Sequence, residues 1–201
     1  MDSDKLQIID PKSTYIDEEA EIGQGTVIYP NTTILGKVKI GKNCEIGPNS
    51  VIQDSKIGDY CVIFFSVIKN SEVAENVDIG PFSHLRDQVK IAEGVHIGNY
   101  VEMVRTSVGK ETKVGHVVYL GDCKVGAKVN IGAGTITANY DGVKKHQTTI
   151  GDGCFIGSNT VFVAPVKVGS QSKTGAGAVV RDDVPANTLV VGMPAKFKKK
   201  L

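Results

Sequence analysis

Four histidines and four cysteines are the residues of this chain with the most chemistry to offer, and their spacing decides what they can do. His84, His96 and His146 do not join His116 at a spacing that suits a metal ion, so no metal centre is expected. The cysteines form no C-x-x-C pair and are expected in the core rather than in a disulfide or on a metal. His116 stands apart, because the small residues Ala133, Ser158 and Ala176 follow it at regular intervals. An imidazole is well suited to accept a proton near neutral pH. Beside a track of small side chains along which a long thin ligand can lie, such as the pantetheine arm of coenzyme A, it becomes the expected general base of acyl transfer to an amine, with backbone N–H groups receiving the developing oxyanion.

These intervals come from a repeat. Ile16, Ile22, Ile28, Ile34, Ile40, Ile46 and Ile52 recur every six residues, and the rhythm resumes from Ile57 to Val180. A period of six fits neither a helix nor a long alternating strand; it fits a short strand plus a turn, three of which close a triangular coil of about 18 residues. The aliphatic residue opens each unit and points inward, glycine commonly follows it, and the fifth position is small, as in Thr26, Ser50, Ser83, Thr135 and Thr160. Cys44, Cys61 and Cys154 occupy that same small position, and Cys123 lies in a shortened unit. Stacked at the interstrand spacing of ~4.8 Å, such coils make a prism whose parallel strands pair with the coils above and below. About nine to ten coils are expected over residues 16–192, with a lead-in at 1–15 and a basic tail at 193–201.

Stacking every third unit places Ile79, Ile97, Val114, Ile131, Ile156 and Thr174 in one column. The residue after each is glycine: Gly80, Gly98, Gly115, Gly132, Gly157 and Gly175. Such a column means either a demanding backbone geometry or a surface that something approaches closely. The third position reads Pro81, Asn99, His116, Ala133, Ser158, Ala176, which puts the imidazole at the foot of the small-residue track. The sixth-position column puts His84, Glu102 and Tyr119 on successive coils, where Glu102 can orient a polar neighbour or simply face solvent. One excursion interrupts the prism at 138–149, centred on ANYDGVKKHQ, and insertions on a rigid scaffold are where function concentrates.

Composition excludes several classes. A balance of 23 basic against 22 acidic residues gives no electrostatic reason to expect nucleic acid or an anionic membrane. No apolar run approaches the ~20 residues of a membrane span, and the N-terminus lacks the order of a signal peptide, so a cytoplasmic enzyme is expected.

The strings GPFSHLR at 80–86, GNYVEM at 98–103, GHVVYLGD at 115–122, NIGAGTITANYDG at 130–142 and FIGSNTVFVAPV at 155–166 resemble one known family. It is the acetyltransferase domain of the bifunctional N-acetylglucosamine-1-phosphate uridylyltransferase and glucosamine-1-phosphate acetyltransferase. The resemblance implies a left-handed parallel β-helix, an exception to the right-handed crossover rule, and a homotrimer with sites between chains. It implies acetyl transfer from acetyl-CoA to the 2-amino group of glucosamine-1-phosphate, without a metal. It makes His116 the base; Arg86, Tyr119, Asn130, Asn139, Tyr140 and Lys145 contacts to sugar or phosphate; and Ser158 and Ala176 contacts to acetyl-CoA.

The chain also departs from that family. These residues contain no counterpart of its nucleotidyltransferase domain. Val104 stands where the family carries a lysine for the phosphate, with Arg105 beside it as a substitute if the backbone bends there. Met193 stands where an arginine is common. The ending VVGMPAKFKKK resembles other hexapeptide sugar acetyltransferases, and its lysines either meet coenzyme A phosphates or only solubilise the chain. A trimeric carbonic anhydrase on the same fold needs three converging histidines that this spacing does not supply. A non-catalytic sugar-phosphate-binding β-helix, and an acetyltransferase for another amino sugar, are the alternatives that remain.

Overall fold

A computed structural model describes residues 5–200, and they form a left-handed parallel β-helix of about ten triangular coils. The predicted column is observed: Ile79 pairs with Ile97, Ile97 with Val114, Val114 with Ile131, and Ile131 with Ile156. These residues point inward and are buried, as are the matching columns led by Ile34 and Ile40 on the other two faces. Each buried aliphatic contributes roughly 1.5–3 kcal/mol. The prism therefore has one continuous apolar core and needs no helix.

The small fifth position explains how one coil grips the next. Thr26 donates its hydroxyl to the Gly41 carbonyl at 2.9 Å and accepts the Cys44 amide at 3.0 Å; Ser83 does the same with Gly98 at 2.6 Å and Val101 at 3.2 Å. The cysteines fit this role as thiols. Cys44, Cys61 and Cys154 lie against the carbonyls of Gly58, Ala74 and Gly169 at 3.1, 3.0 and 3.2 Å. All four cysteines are free and buried, and burial pushes the Cys123 thiol up to about 12.

Most corners are turned by a residue with positive φ. At the first corner these include Asn49, Phe65, Phe82, Tyr100, Val117 and Asn159; at the second they include Gly36, Asp54, Asn70, Asp87, Arg105 and Asp122. Asparagine and aspartate tolerate this conformation, whereas bulky and β-branched residues adopt it at a cost.

Two coils differ from the rest. His96–Val104 and Lys113–Gly121 run as unbroken nine-residue strands through the first corner, paired from His96↔Lys113 to Val104↔Gly121. They join two faces into one 20-stranded sheet, while the third face is a separate nine-stranded sheet. The coil carrying His116 is thus the most regularly paired part of the scaffold.

Pairing extends beyond 16–192 at both ends. Gln7–Ile8 already lies on Val27–Ile28, and Lys196–Lys200 forms a strand antiparallel to Thr188–Val191. The excursion falls within 138–149: Ile136–Ala138 and Thr148–Ile150 stay in the prism, and 139–147 leaves it.

Candidate functional site

His116 is exposed on the first corner, paired through its backbone with Asn99 of the coil below. The small-residue track continues beyond it. The Asn159 amide donates to the Ala133 carbonyl at 2.7 Å and the Gly177 amide to the Ser158 carbonyl at 2.8 Å, so Ala133, Ser158 and Ala176 follow one another along the corner. Ser158 and Ala176 are exposed. The glycine column separates into two kinds. A side chain on Gly98 would collide with the Gly115 carbonyl, and side chains on Gly132 and Gly157 would collide with the backbone of the next coil. At Gly115 nothing lies within 4 Å of where a Cβ would be. That open space adjoins His116.

Three residues further along the same strand, a polar cluster occupies the second face and corner. His84, Glu102 and Tyr119 stack on successive coils in the register the repeat predicted. Arg86 donates to Glu102 at 2.8 Å and to Asp87 at 3.0 Å, and these hydrogen bonds, Glu102 first, raise its pKa. Arg105 donates to Asp122 through Nε at 2.6 Å and Nη2 at 2.9 Å. Asp122 also accepts from the Asn139 amide at 2.5 Å, and the guanidinium beside it holds its carboxyl below the usual carboxylate range. The Tyr119 hydroxyl and the Asn139 amide both lie over Gly121, where any side chain would strike them.

The excursion closes on itself. Tyr140 and Lys145 form an antiparallel bridge, and the His146 amide donates to the Asn139 carbonyl at 2.7 Å. Asp141 accepts from the Val143 and Lys144 amides, both at 2.8 Å, and pairs with the His146 ring at 2.6 Å. The Tyr140 hydroxyl bonds the Gly142 carbonyl, which leaves the ring 60% exposed.

Of the residues expected at a site, Arg86, Tyr119, Asn139 and Lys145 belong to this polar region, Lys145 lying within electrostatic reach of Asp122. His116, Ser158 and Ala176 lie along the first corner. Asn130 is on the first face, paired with Lys113 and Phe155, on the other side of the corner from Tyr119. Tyr140 projects with the loop. Val104 aligns with Arg86 and Gly121 as the register required, and it is 2% exposed. Arg105 does bend, at φ 47°. Asp122 was not singled out by the sequence; the signal available was its place in the second corner column, one coil above Arg105. Among the described residues no group of three or more His, Cys, Asp and Glu side chains could hold a metal ion, and no helix is long and apolar enough to cross a membrane.

Residues 19–54 and 147–182 match the family described as bacterial transferase hexapeptide (six repeats). Over 195 residues the chain is 49% identical to the bifunctional protein GlmU of Carboxydothermus hydrogenoformans, covering 97% of this chain and 44% of that protein. The chain thus carries the bacterial transferase hexapeptide repeat and is similar to GlmU over nearly its whole length. A second relative, GlmU of Caldicellulosiruptor saccharolyticus, is 51% identical over 97% of this chain and 42% of its own length. The chain therefore spans less than half the length of the curated relatives it matches. Among proteins of known structure, the UDP-N-acetylglucosamine acyltransferase of Arabidopsis superposes with a TM-score of 0.84 over 96% of this chain and 74% of its own, at 21% identity. That likeness is one of fold.

Proposed function

We propose that this chain transfers acetyl from acetyl-CoA to the 2-amino group of glucosamine-1-phosphate or a close hexosamine-1-phosphate, with His116 as general base. The observation that carries the reading is the open space over Gly115 beside an exposed imidazole, at the foot of the Ala133, Ser158, Ala176 track. The amine nitrogen attacks the thioester carbonyl carbon, the C–S bond breaks, and the proton lost by nitrogen passes to the imidazole and on to the departing thiolate. Arg86, Tyr119, Asn139 and Lys145 suit the sugar and its phosphate, since the cluster offers cations and hydrogen-bonding groups ~10 Å along the strand from His116. Asn130 lies on the other side of the corner from that cluster and Tyr140 projects with the loop, and both would complete the site of a neighbouring chain.

The working form is a homotrimer in this reading. Phe65, Phe82 and Tyr100 stack along the first corner with ring centroids 5.7 and 5.5 Å apart, and Val117 continues the stripe beside His116. Phe82, Tyr100 and Val117 are 55–58% exposed, in a backbone conformation that bulky residues resist. A partner covering the stripe would offset that cost and wall the site. Four unpaired cysteines suit the cytoplasm.

Release of free thiol from acetyl-CoA is the test. It should require glucosamine-1-phosphate, and free glucosamine should support it far less well. Binding of the sugar phosphate without thiol release would instead make the chain a non-catalytic binder.

A further inference from the structure

We propose that Asp122 is a positioning residue for the sugar-phosphate site: by holding the Arg105 guanidinium and the Asn139 amide together, it fixes the root of the excursion loop against the prism. This rests on the reading of that region as the sugar-phosphate site. Arg105 sits at the second corner between Asp87 and Asp122, its amide donating to the Asp87 carbonyl at 3.0 Å. Its side chain turns to the next coil and binds Asp122 through Nε and Nη2. A guanidinium has five N–H donors. Two are spent on the carboxylate, and Nη1 makes no bond to Asp122, so that edge can address an anion.

Asn139 is the residue at which the chain leaves the prism, directly after the strand Ile136–Ala138. It is 6% exposed, and its two ends do different work: the side-chain amide binds Asp122 while the backbone carbonyl takes the His146 amide that closes the loop. One carboxylate thus sets the position of a cation and of the loop's first residue. Thr137 anchors the same root from below, accepting the Gly121 amide at 2.7 Å and donating to the Gly121 carbonyl at 3.1 Å. The Arg105–Asp122 pair is partly open to water, with side-chain exposures of 32% and 18%, so it adds little to global stability. Its contribution is geometric.

The test compares Asp122→Asn and Arg105→Gln in the full chain, reading steady-state kinetics and amide hydrogen exchange together. Asp122→Asn should raise KM for glucosamine-1-phosphate about 10-fold, within the range of coupled neighbours, and leave KM for acetyl-CoA within about 2-fold. Exchange at the His146 amide should quicken, while core amides such as Val101 keep their protection. Asp122→Glu should recover part of the effect. Arg105→Gln should share it, so that the double variant is no worse than the more severe single one. Unchanged sugar-phosphate KM with unchanged loop exchange overturns the proposal. So does an equal rise in both KM values with faster exchange throughout the prism, because that signals general loosening. A wild-type chain that does not acetylate the sugar phosphate would sink the substrate reading instead, and His146 exchange in Asp122→Asn would still decide whether Asp122 positions the loop.

Discussion

Gly98 and Gly115 occupy equivalent positions on adjacent coils, and the sequence gives no means of telling them apart. In space they differ, because Gly98 lies under the next coil's carbonyl while Gly115 faces empty space. Gly98→Ala should therefore destabilise the fold by roughly 1–3 kcal/mol, the usual range for overpacking. Gly115→Ala should leave the melting temperature within a degree or two and raise KM for acetyl-CoA, a contrast that thermal denaturation and steady-state kinetics check directly. For His116→Ala the expected result is a fall in kcat of about 10²- to 10⁴-fold with little change in KM for acetyl-CoA. Unchanged kcat would move the role of base elsewhere. The register of both residues was legible, since a period of six with three units per coil fixes which residues stack. What could not be read was the clearance above each one, which depends on how closely the next coil's backbone approaches.

At the scale of elements, the second corner and the excursion loop hold the charges that make the chain sensitive to acid. Among the histidines and carboxylates of the second face, its corner and the loop, three have displaced pKa values. Burial, then the charge of Arg86, pushes His84 below the ordinary histidine range. Asp122 is lowered by Arg105, and Asp141 by the Lys144 amide and then by its bond to His146. A histidine depressed in the folded state binds fewer protons than its unfolded counterpart, so its contribution is present above about pH 6.5 and lost as pH falls below it. Depressed carboxylates contribute above about pH 4 and lose that contribution as pH falls further. Melting temperature should accordingly hold between pH 8 and 7, slip below about 6.5, and fall only slightly further below about 4, because both carboxylates are at least partly open to water. His84→Gln should flatten the first step only; a slope that survives this substitution would remove His84 from the account. The loop itself was plain in the sequence as seven residues too many. Its anchor was not, because alternation along a strand sends Arg105 to the opposite side from Val104, and only the positive φ at the corner turns it toward Asp122. The first coil escaped for a simpler reason: twenty residues separate Ile8 from Ile28 where eighteen separate Ile28 from Ile46, and the two extra hide the period.

For the molecule as a whole, the three faces are not equivalent. The third presents charges outward, including the Glu21–Lys39 and Lys90–Glu72 pairs, whereas the second presents Val51, Val67, Ile136, Val161 and Val179. Association should therefore use the second face and the aromatic corner. Sedimentation should find a trimer, and Phe82→Glu with Tyr100→Glu should yield monomers that have lost activity while keeping their circular dichroism. A wild-type monomer with full activity would end that expectation. The strand Lys196–Lys200 carries a different consequence. A stack of parallel strands has no intrinsic length, and the last coil offers Thr188–Val191 as an edge on which further β-structure could grow. The closing strand runs the opposite way, and its lysines are exposed. Any further strand would have to stack on a cationic, reversed template. Covering that edge is expected to hinder end-to-end growth, so removing the strand Lys196–Lys200 should promote end-to-end filaments, seen as light scattering that rises with protein concentration.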